Sequence, residues 1–130
     1  MIANTPEPPY YAVIFSTLRT TVDDGYLETA DRMEALAKEQ EGYLGIESVR
    51  EDLGITVSYW SSLEAITKWK NNAEHTLARE QGRAIWYKYY KLRICKVVVG
   101  VVRIRIRTPC PMVEVGTKYE RPRGGFGFPL

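Results

Sequence analysis

The residues of this chain with the clearest chemical potential lie in one segment, WKNNAEHTLAREQGR, at positions 69 to 83. The segment holds His75, the only histidine of the protein, and Arg79 four positions further on. In a helix, residues four apart share one face, so the imidazole and the guanidinium would be neighbours. A neutral histidine can accept a proton near neutral pH, and an arginine can stabilise the anion that this produces.

Two interpretations of His75 are open from the sequence. In the first, it is a catalytic base that removes the proton of a phenol, and Arg79 binds the phenolate or a substrate carboxylate. In the second, His75 bonds the backbone or a neighbouring strand and only fixes its helix. Ala78 and Gly82 adjoin the same helix face, and their small size would leave room for a ligand.

Other catalytic patterns are absent from the sequence. It contains no glycine-rich phosphate loop and no GxSxG motif, and its one histidine gives no metal-ligand spacing. We therefore expect neither a bound metal nor a cofactor. Cys95 and Cys110 are isolated from each other, which favours reduced thiols in a cytoplasmic protein.

The composition is that of one folded domain. The chain has 130 residues, of which 45% are hydrophobic and 26% charged, and its net charge of +2 does not indicate nucleic acid or an anionic membrane as a partner. Residues 99–130 hold six basic residues against two acidic ones, and we expect a solvated or interface-forming segment there. We expect no signal peptide and no membrane span, since no apolar stretch is long enough.

Hydrophobic periodicity predicts the elements that would position His75. They are a strand over 10–19, a helix over 24–40, two strands over 43–52 and 55–62, a second helical region ending at Gly82, and a strand over 85–99. This β-α-β-β-α-β order indicates a ferredoxin-like α+β fold with two helices on one face of an antiparallel sheet. Because the strands are apolar on both faces, the other face needs a cover, and a second subunit is the economical one.

Two capping signatures occur within the second helical region. Ser61 precedes Glu64 by three residues, and Asn71 precedes Glu74 by three residues. A side-chain acceptor three residues before a glutamate is typical of a helix start. We therefore expect one helix to begin at Ser61 and another to restart at Asn71, just before His75.

The sequence divides into a lead over 1–9, a domain over 10–98 and a C-terminal basic β-arm with a flexible end over 99–130. In the arm, Ile104 and Ile106 keep the parity of Leu92 and Ile94, and Gly100 can supply a bend between the two stretches. We expect residues 101–107 to add β-structure at a dimer interface.

Five segments carry a family resemblance, and they occur in the family's order. They are GYLGIES (42–48), ITVSYW (55–60), EAITKWKNNAEH (64–75), AREQGR (78–83) and YYKLRICKV (89–97). Over residues 10–98 the chain resembles the antibiotic biosynthesis monooxygenase superfamily, especially its small uncharacterised bacterial members. The resemblance implies a dimeric α/β barrel in which two ferredoxin-like protomers pack sheet to sheet, with a cleft between each sheet and its helices.

The family resemblance implies a fold more firmly than a reaction, because its members differ in chemistry. Some oxidise polycyclic aromatics to quinones with O₂ and without metal or flavin, while others degrade haem or act on small substrates. The haem-degrading pattern has a histidine ten residues after its tryptophan, whereas Arg79 stands ten residues after Trp69. Ser16 and Thr17 stand where that pattern has an asparagine in the first strand. Because arginine is no axial ligand for iron, haem degradation is disfavoured.

The resemblance thus implies a cofactor-independent monooxygenase-like homodimer that acts on a small planar, phenolic or polycyclic molecule. The alternative is a non-catalytic small-molecule-binding or accessory protein on the same dimeric fold. In this family the face that holds His75 and Arg79 looks into the cleft. The candidate site is therefore catalytic His75 with ligand contacts from Arg79, Trp69, Asn72 and Trp60, and Trp69 is expected to stack on the planar ligand.

Overall fold

Residues 1–103 are described by the computed structural model, and they contain a four-stranded antiparallel sheet with its helices. The strands are β1 (Tyr10–Arg19), β2 (Tyr43–Arg50), β3 (Leu53–Trp60) and β4 (Tyr87–Val97). The helices are α1 (Tyr26–Lys38), α2 (Leu63–Lys70) and α3 (Ala73–Gln81), and a π-helical turn (Gly82–Trp86) follows α3. The strands lie in the order β2-β3-β1-β4, so the predicted ferredoxin-like α+β fold is confirmed.

The second helical region breaks before His75 as predicted, but each helix starts one residue later than its capping signature indicates. Ser62, not Ser61, accepts the N–H of Ala65 at 3.1 Å. Asn72, not Asn71, accepts the N–H of His75 at 3.2 Å. The Ser61 N–H bonds to the Gly42 carbonyl at 2.8 Å, which ties Ser61 to the end of the sheet and leaves its neighbour to cap the helix.

The core lies between the helices and one face of the sheet. Trp60, with 0% exposure, packs there with Ala37, Ala65 and Ile66. Residues directly opposite each other on paired strands share a face, and Trp60 lies opposite Tyr11. Tyr11 and every second residue of β1 after it therefore share this helix-facing side with Trp60.

The other side of the sheet, here called the outer face, carries Ile14, Leu18, Val49, Ile55 and Val57. Val49 is 64% exposed, and the other four are partly buried. An apolar second face is thus present in the protomer, as predicted. The N-terminal lead crosses part of this face, where the N–H of Ala3 donates to Glu47 at 2.9 Å.

The last strand ends at Val97, and residues 98–103 form no regular secondary structure. The predicted β-arm is therefore not formed over 101–103 in the protomer, and the rest of that prediction, including Ile104 and Ile106, lies outside the described residues. Among residues 1–103, no helix is long and apolar enough to cross a membrane.

Candidate functional site

A strip of apolar side chains on the helix-facing side remains partly uncovered. Val13 lies opposite Ile94, and Phe15 lies opposite Leu92; these four residues are called the apolar strip below. Leu92 is 52% exposed and Ile94 48%, although both face the helix layer. Helix α3 has no fully buried residue, so the helix layer does not close over the strip.

One end of the strip continues into a depression of about 310 Å³. Tyr11 and Lys96 form the helix-facing pair next to Val13 and Ile94, and both line this depression. Its remaining lining residues are Pro9, Ser61, Ser62, Leu63 and Glu64. The strip and the depression are therefore adjacent on the helix-facing side of the sheet.

His75 belongs to a stack of aromatic rings that reaches the core. Its imidazole lies 4.1 Å from Trp69, centroid to centroid, with an interplanar angle of 9°. Trp69 in turn stacks on Trp60 at 6.1 Å and 25°. Trp69 and Val13 both pack against the buried cluster around Trp60, so the stack and the Val13 end of the strip share the same core.

A single hydrogen bond fixes the tautomer of His75. Its Nδ1 lies 2.9 Å from the carbonyl oxygen of Trp69. Because a carbonyl oxygen can only accept, Nδ1 must carry the hydrogen, and in the neutral ring the lone pair is then on Nε2. Within residues 1–103, Nε2 has no hydrogen-bond partner, so it is the atom left to accept a proton.

The surroundings of His75 keep the ring neutral. Burial lowers the pKa of His75 below its ordinary value of 6.5, and the charge of Arg79 lowers it further, while the bond to the Trp69 carbonyl acts in the opposite direction. The lowered pKa means that His75 is deprotonated at pH 7. A neutral imidazole with a free Nε2 can act as a general base.

The other predicted site residues support this stack in different ways. The Arg79 Nη1 donates to the Lys70 carbonyl at 2.9 Å, at the C-terminal end of α2. Asn72 uses its Oδ1 to cap α3, and Trp60 lies wholly in the core. The structure therefore brings Trp60, Trp69 and His75 into one stack and places Asn72 and Arg79 at the α2–α3 junction that holds it.

A polar cluster that was not predicted from the sequence lies beyond the other end of the strip. Arg50 of β2, Thr17 of β1, Tyr26 of α1 and Tyr87 of β4 meet there. The four residues of this cluster come from four different elements, and no spacing in the sequence indicates that they are close. The only signal in the sequence was the alternation along the strands, which places Thr17 and Tyr87 on the helix-facing side of the sheet.

Among residues 1–103, no group of three or more histidine, cysteine, aspartate or glutamate side chains is placed to hold a metal ion. What the candidate site offers is an imidazole base, a guanidinium and an apolar surface.

The pKa of His75 can be measured directly, because it is the only histidine. We expect its Cε1 proton signal in an NMR titration to give a midpoint below 6.5, and Arg79→Gln to raise that midpoint by removing a nearby positive charge. Lys91→Gln, on the outer face of β4, is the control that should leave it unchanged. A midpoint above 6.5 in the unaltered protein would contradict the buried, neutral imidazole.

The class of protein follows from the fold together with the comparison with known families. The chain belongs to the antibiotic biosynthesis monooxygenase family, whose profile matches residues 9–81, and the predicted membership is thereby confirmed. An uncharacterised protein of Bacillus subtilis, YqjZ, is 55% identical to it over 98 residues, which cover 74% of this chain and 86% of that protein.

Two solved structures show the same fold at low sequence identity. SnoaB, a cofactor-independent oxygenase from Streptomyces nogalater, has a TM-score of 0.62 and 10% identity over 72% of this chain and 97% of its own. PA3566 from Pseudomonas aeruginosa has a TM-score of 0.60 and 12% identity over 72% of this chain and 99% of its own.

Proposed function

We propose that the protein is a cofactor-independent monooxygenase that oxidises a small planar phenolic or polycyclic molecule lying on the apolar strip. The observation that carries this proposal is the bond between His75 Nδ1 and the Trp69 carbonyl, because it leaves Nε2 of the neutral ring free to accept a proton. The family and the description of SnoaB as a cofactor-independent oxygenase support the reaction class.

In the proposed reaction, His75 Nε2 accepts the hydroxyl proton of the substrate, which gives an imidazolium and a phenolate. The electron-rich phenolate then reacts with O₂. In the overall change a ring methylene becomes a carbonyl: one atom of O₂ becomes the carbonyl oxygen, the other leaves as water with the two methylene hydrogens, and the imidazolium returns its proton to the product hydroxyl. No further reductant is needed, because oxidation of the methylene to the carbonyl supplies all four electrons that O₂ takes up.

The remaining site residues have supporting roles in this proposal. Arg79 uses one N–H on the Lys70 carbonyl, so its other N–H groups are available to stabilise the phenolate. Asn72 uses Oδ1 for the cap, and its amino group can donate to a substrate oxygen. Trp69 forms a wall of the ligand site, and Trp60 supports it from the core. Oxygen uptake with a hydroxyanthrone such as dithranol, compared between the protein and His75→Gln, tests the proposal.

Non-catalytic binding is the second candidate function on this fold. It is favoured by the backbone contacts of Arg79 and Asn72, since residues that fix a helix need not take part in a reaction. In that case dithranol would bind without any protein-dependent oxygen uptake. Measuring binding and oxygen uptake on the same sample separates the two functions.

We propose that the outer face forms a homodimer interface, as the family resemblance implies. Ile55→Lys should then yield a monomer in light scattering at micromolar concentration, because twofold symmetry buries the new charge twice and each lost isoleucine contributes about 1.5–3 kcal/mol. Leu77→Lys, at a helix position with 67% exposure, is the control that should remain dimeric. A monomeric unaltered protein, or a dimer that tolerates Ile55→Lys, would refute the interface.

A further inference from the structure

We infer that Arg50 forms an anion subsite at the end of the apolar strip away from His75, and that the ligand is an elongated aromatic acid whose carboxylate binds there. This inference rests on the proposed ligand strip and adds the chemical class of the ligand. It is carried by the placement of Arg50, by its lack of an acidic partner among the described residues and by the donors around it.

Arg50 lies flat across the helix-facing side of the sheet. It is opposite Gly54, which in turn is opposite Thr17, so the three residues form one row across β2, β3 and β1. A Cβ added to Gly54 would overlap the Nη2 and Cζ atoms of Arg50. Only a glycine therefore leaves space for the guanidinium in this position, since any side chain would displace it.

The Arg50 guanidinium is fixed but not neutralised. Its Nη2 donates to the hydroxyl of Thr17, which is 2% exposed. Within residues 1–103 no carboxylate lies within ion-pair distance of Arg50, whereas Arg19 is paired with Asp23 at 2.6 Å. A fixed guanidinium with unused N–H groups is a good partner for a carboxylate, which can accept two parallel bonds.

The residues around Arg50 add further donors and no acidic acceptor. The Tyr26 ring centroid lies 5.9 Å from the Arg50 Cζ and 3.6 Å from the Arg19 Cζ. The Arg19 Nε is buried and has no hydrogen-bond partner within the described part of the chain. Burial and a hydrogen bond to Tyr26 raise the pKa of Tyr87, so its hydroxyl stays protonated and adds no negative charge beside Arg50.

The cluster adjoins the strip directly. The Tyr87 ring lies 5.5 Å from Phe15, and Thr17 is the next helix-facing residue of β1 after Phe15. Val13 packs against the same core cluster as Trp69, on which His75 stacks. Thr17 lies four residues further along β1, which is about 13 Å at the rise of a strand. A ligand with its hydroxyl toward His75 and its anion toward Arg50 must therefore be long, with at least two fused rings between or beside these groups.

The test compares two probes that differ in one group, 6-hydroxy-2-naphthoate and 2-naphthol, by isothermal titration calorimetry. We expect the unaltered protein to bind the naphthoate about tenfold more tightly than 2-naphthol. This ratio is at the low end of what a hydrogen bond to a charged group contributes to affinity, because Arg50 is exposed. Arg50→Gln should remove this preference and leave the affinity for 2-naphthol unchanged. Gly54→Ala should do the same, because it displaces the guanidinium but keeps its charge.

Lys38→Gln is the matched control, since it removes one positive charge from the exposed surface of α1. It should retain the tenfold preference, and thermal unfolding should show that all three variants are folded. Equal affinity for both probes would overturn the anion subsite and leave the proposed oxygenase function standing. An equal loss of preference in Lys38→Gln would also overturn it, because the effect would then be one of net charge.

The remaining outcomes separate this inference from the proposed function. Arg50-dependent binding of the naphthoate, with no oxygen uptake on dithranol, would support the subsite and refute the oxygenase. If neither probe binds, the strip is not a ligand site, and the subsite is overturned with it.

Discussion

Replacing His75 with glutamine is expected to lower kcat for oxygen uptake on a hydroxyanthrone about 100-fold, the lower end of what a general base contributes. Glutamine can still donate an N–H to the Trp69 carbonyl, but it has no lone pair that accepts a proton near neutral pH. The KM should change little, because the apolar strip that we propose as the main binding surface is unaltered.

The pH dependence of the same reaction gives a second readout. The base is active only when Nε2 is unprotonated, and burial lowers the pKa of His75 below 6.5. Oxygen uptake should therefore be constant above pH 6.5 as far as His75 is concerned and fall as the pH drops through the lowered pKa. His75→Gln should lose this acid limb.

Leu77→Gln is the control for both measurements, since Leu77 lies on α3 with 67% exposure and two positions from His75. It should keep the activity and the pH profile of the unaltered protein. Unchanged kcat in His75→Gln would show that His75 is not the base, and the imidazole would then have only its structural contacts to α2.

Trp60→Ala is expected to lower the free energy of unfolding by about 3–5 kcal/mol, the usual range for removing a large buried aromatic side chain. Trp60 has 0% exposure, stacks on Trp69 and makes an edge-to-face contact with Tyr43 at 5.6 Å. Alanine would leave a cavity at the centre of the core, beneath the residue that supports His75. Urea unfolding, followed at one protein concentration because a dimer would be concentration-dependent, measures the loss.

Two further variants show whether this loss comes from the cavity. Trp60→Phe should cost less than alanine because it retains most of the ring volume. Leu77→Ala should change the free energy of unfolding by no more than about 0.5 kcal/mol, as is usual for exposed positions. A loss below about 1 kcal/mol in Trp60→Ala would mean that the core does not depend on Trp60. If the core loosens as expected, the titration midpoint of His75 should also rise toward 6.5, since its burial depends on Trp69.

The order of strands and helices was predictable from the sequence, because hydrophobic periodicity follows directly from the local geometry of each element. The strand over 10–19 is reproduced at both ends. The predicted helix over 24–40 is shorter in the structure, Tyr26–Lys38, and begins after Gly25 with a φ of 69°. The helix starts near Ser61 and Asn71 were each misplaced by one residue, because adjacent residues of equal capping ability compete there.

The sequence by itself determined the family, the element order and His75 as the residue to consider. The tertiary structure decided what His75 contacts, because its ring reaches Trp69 across the break between α2 and α3. It also decided that Arg50 lies over Gly54 and reaches Thr17. That contact depends on the register of three strands, and register is set by pairing and packing across the whole sheet, which local periodicity does not encode.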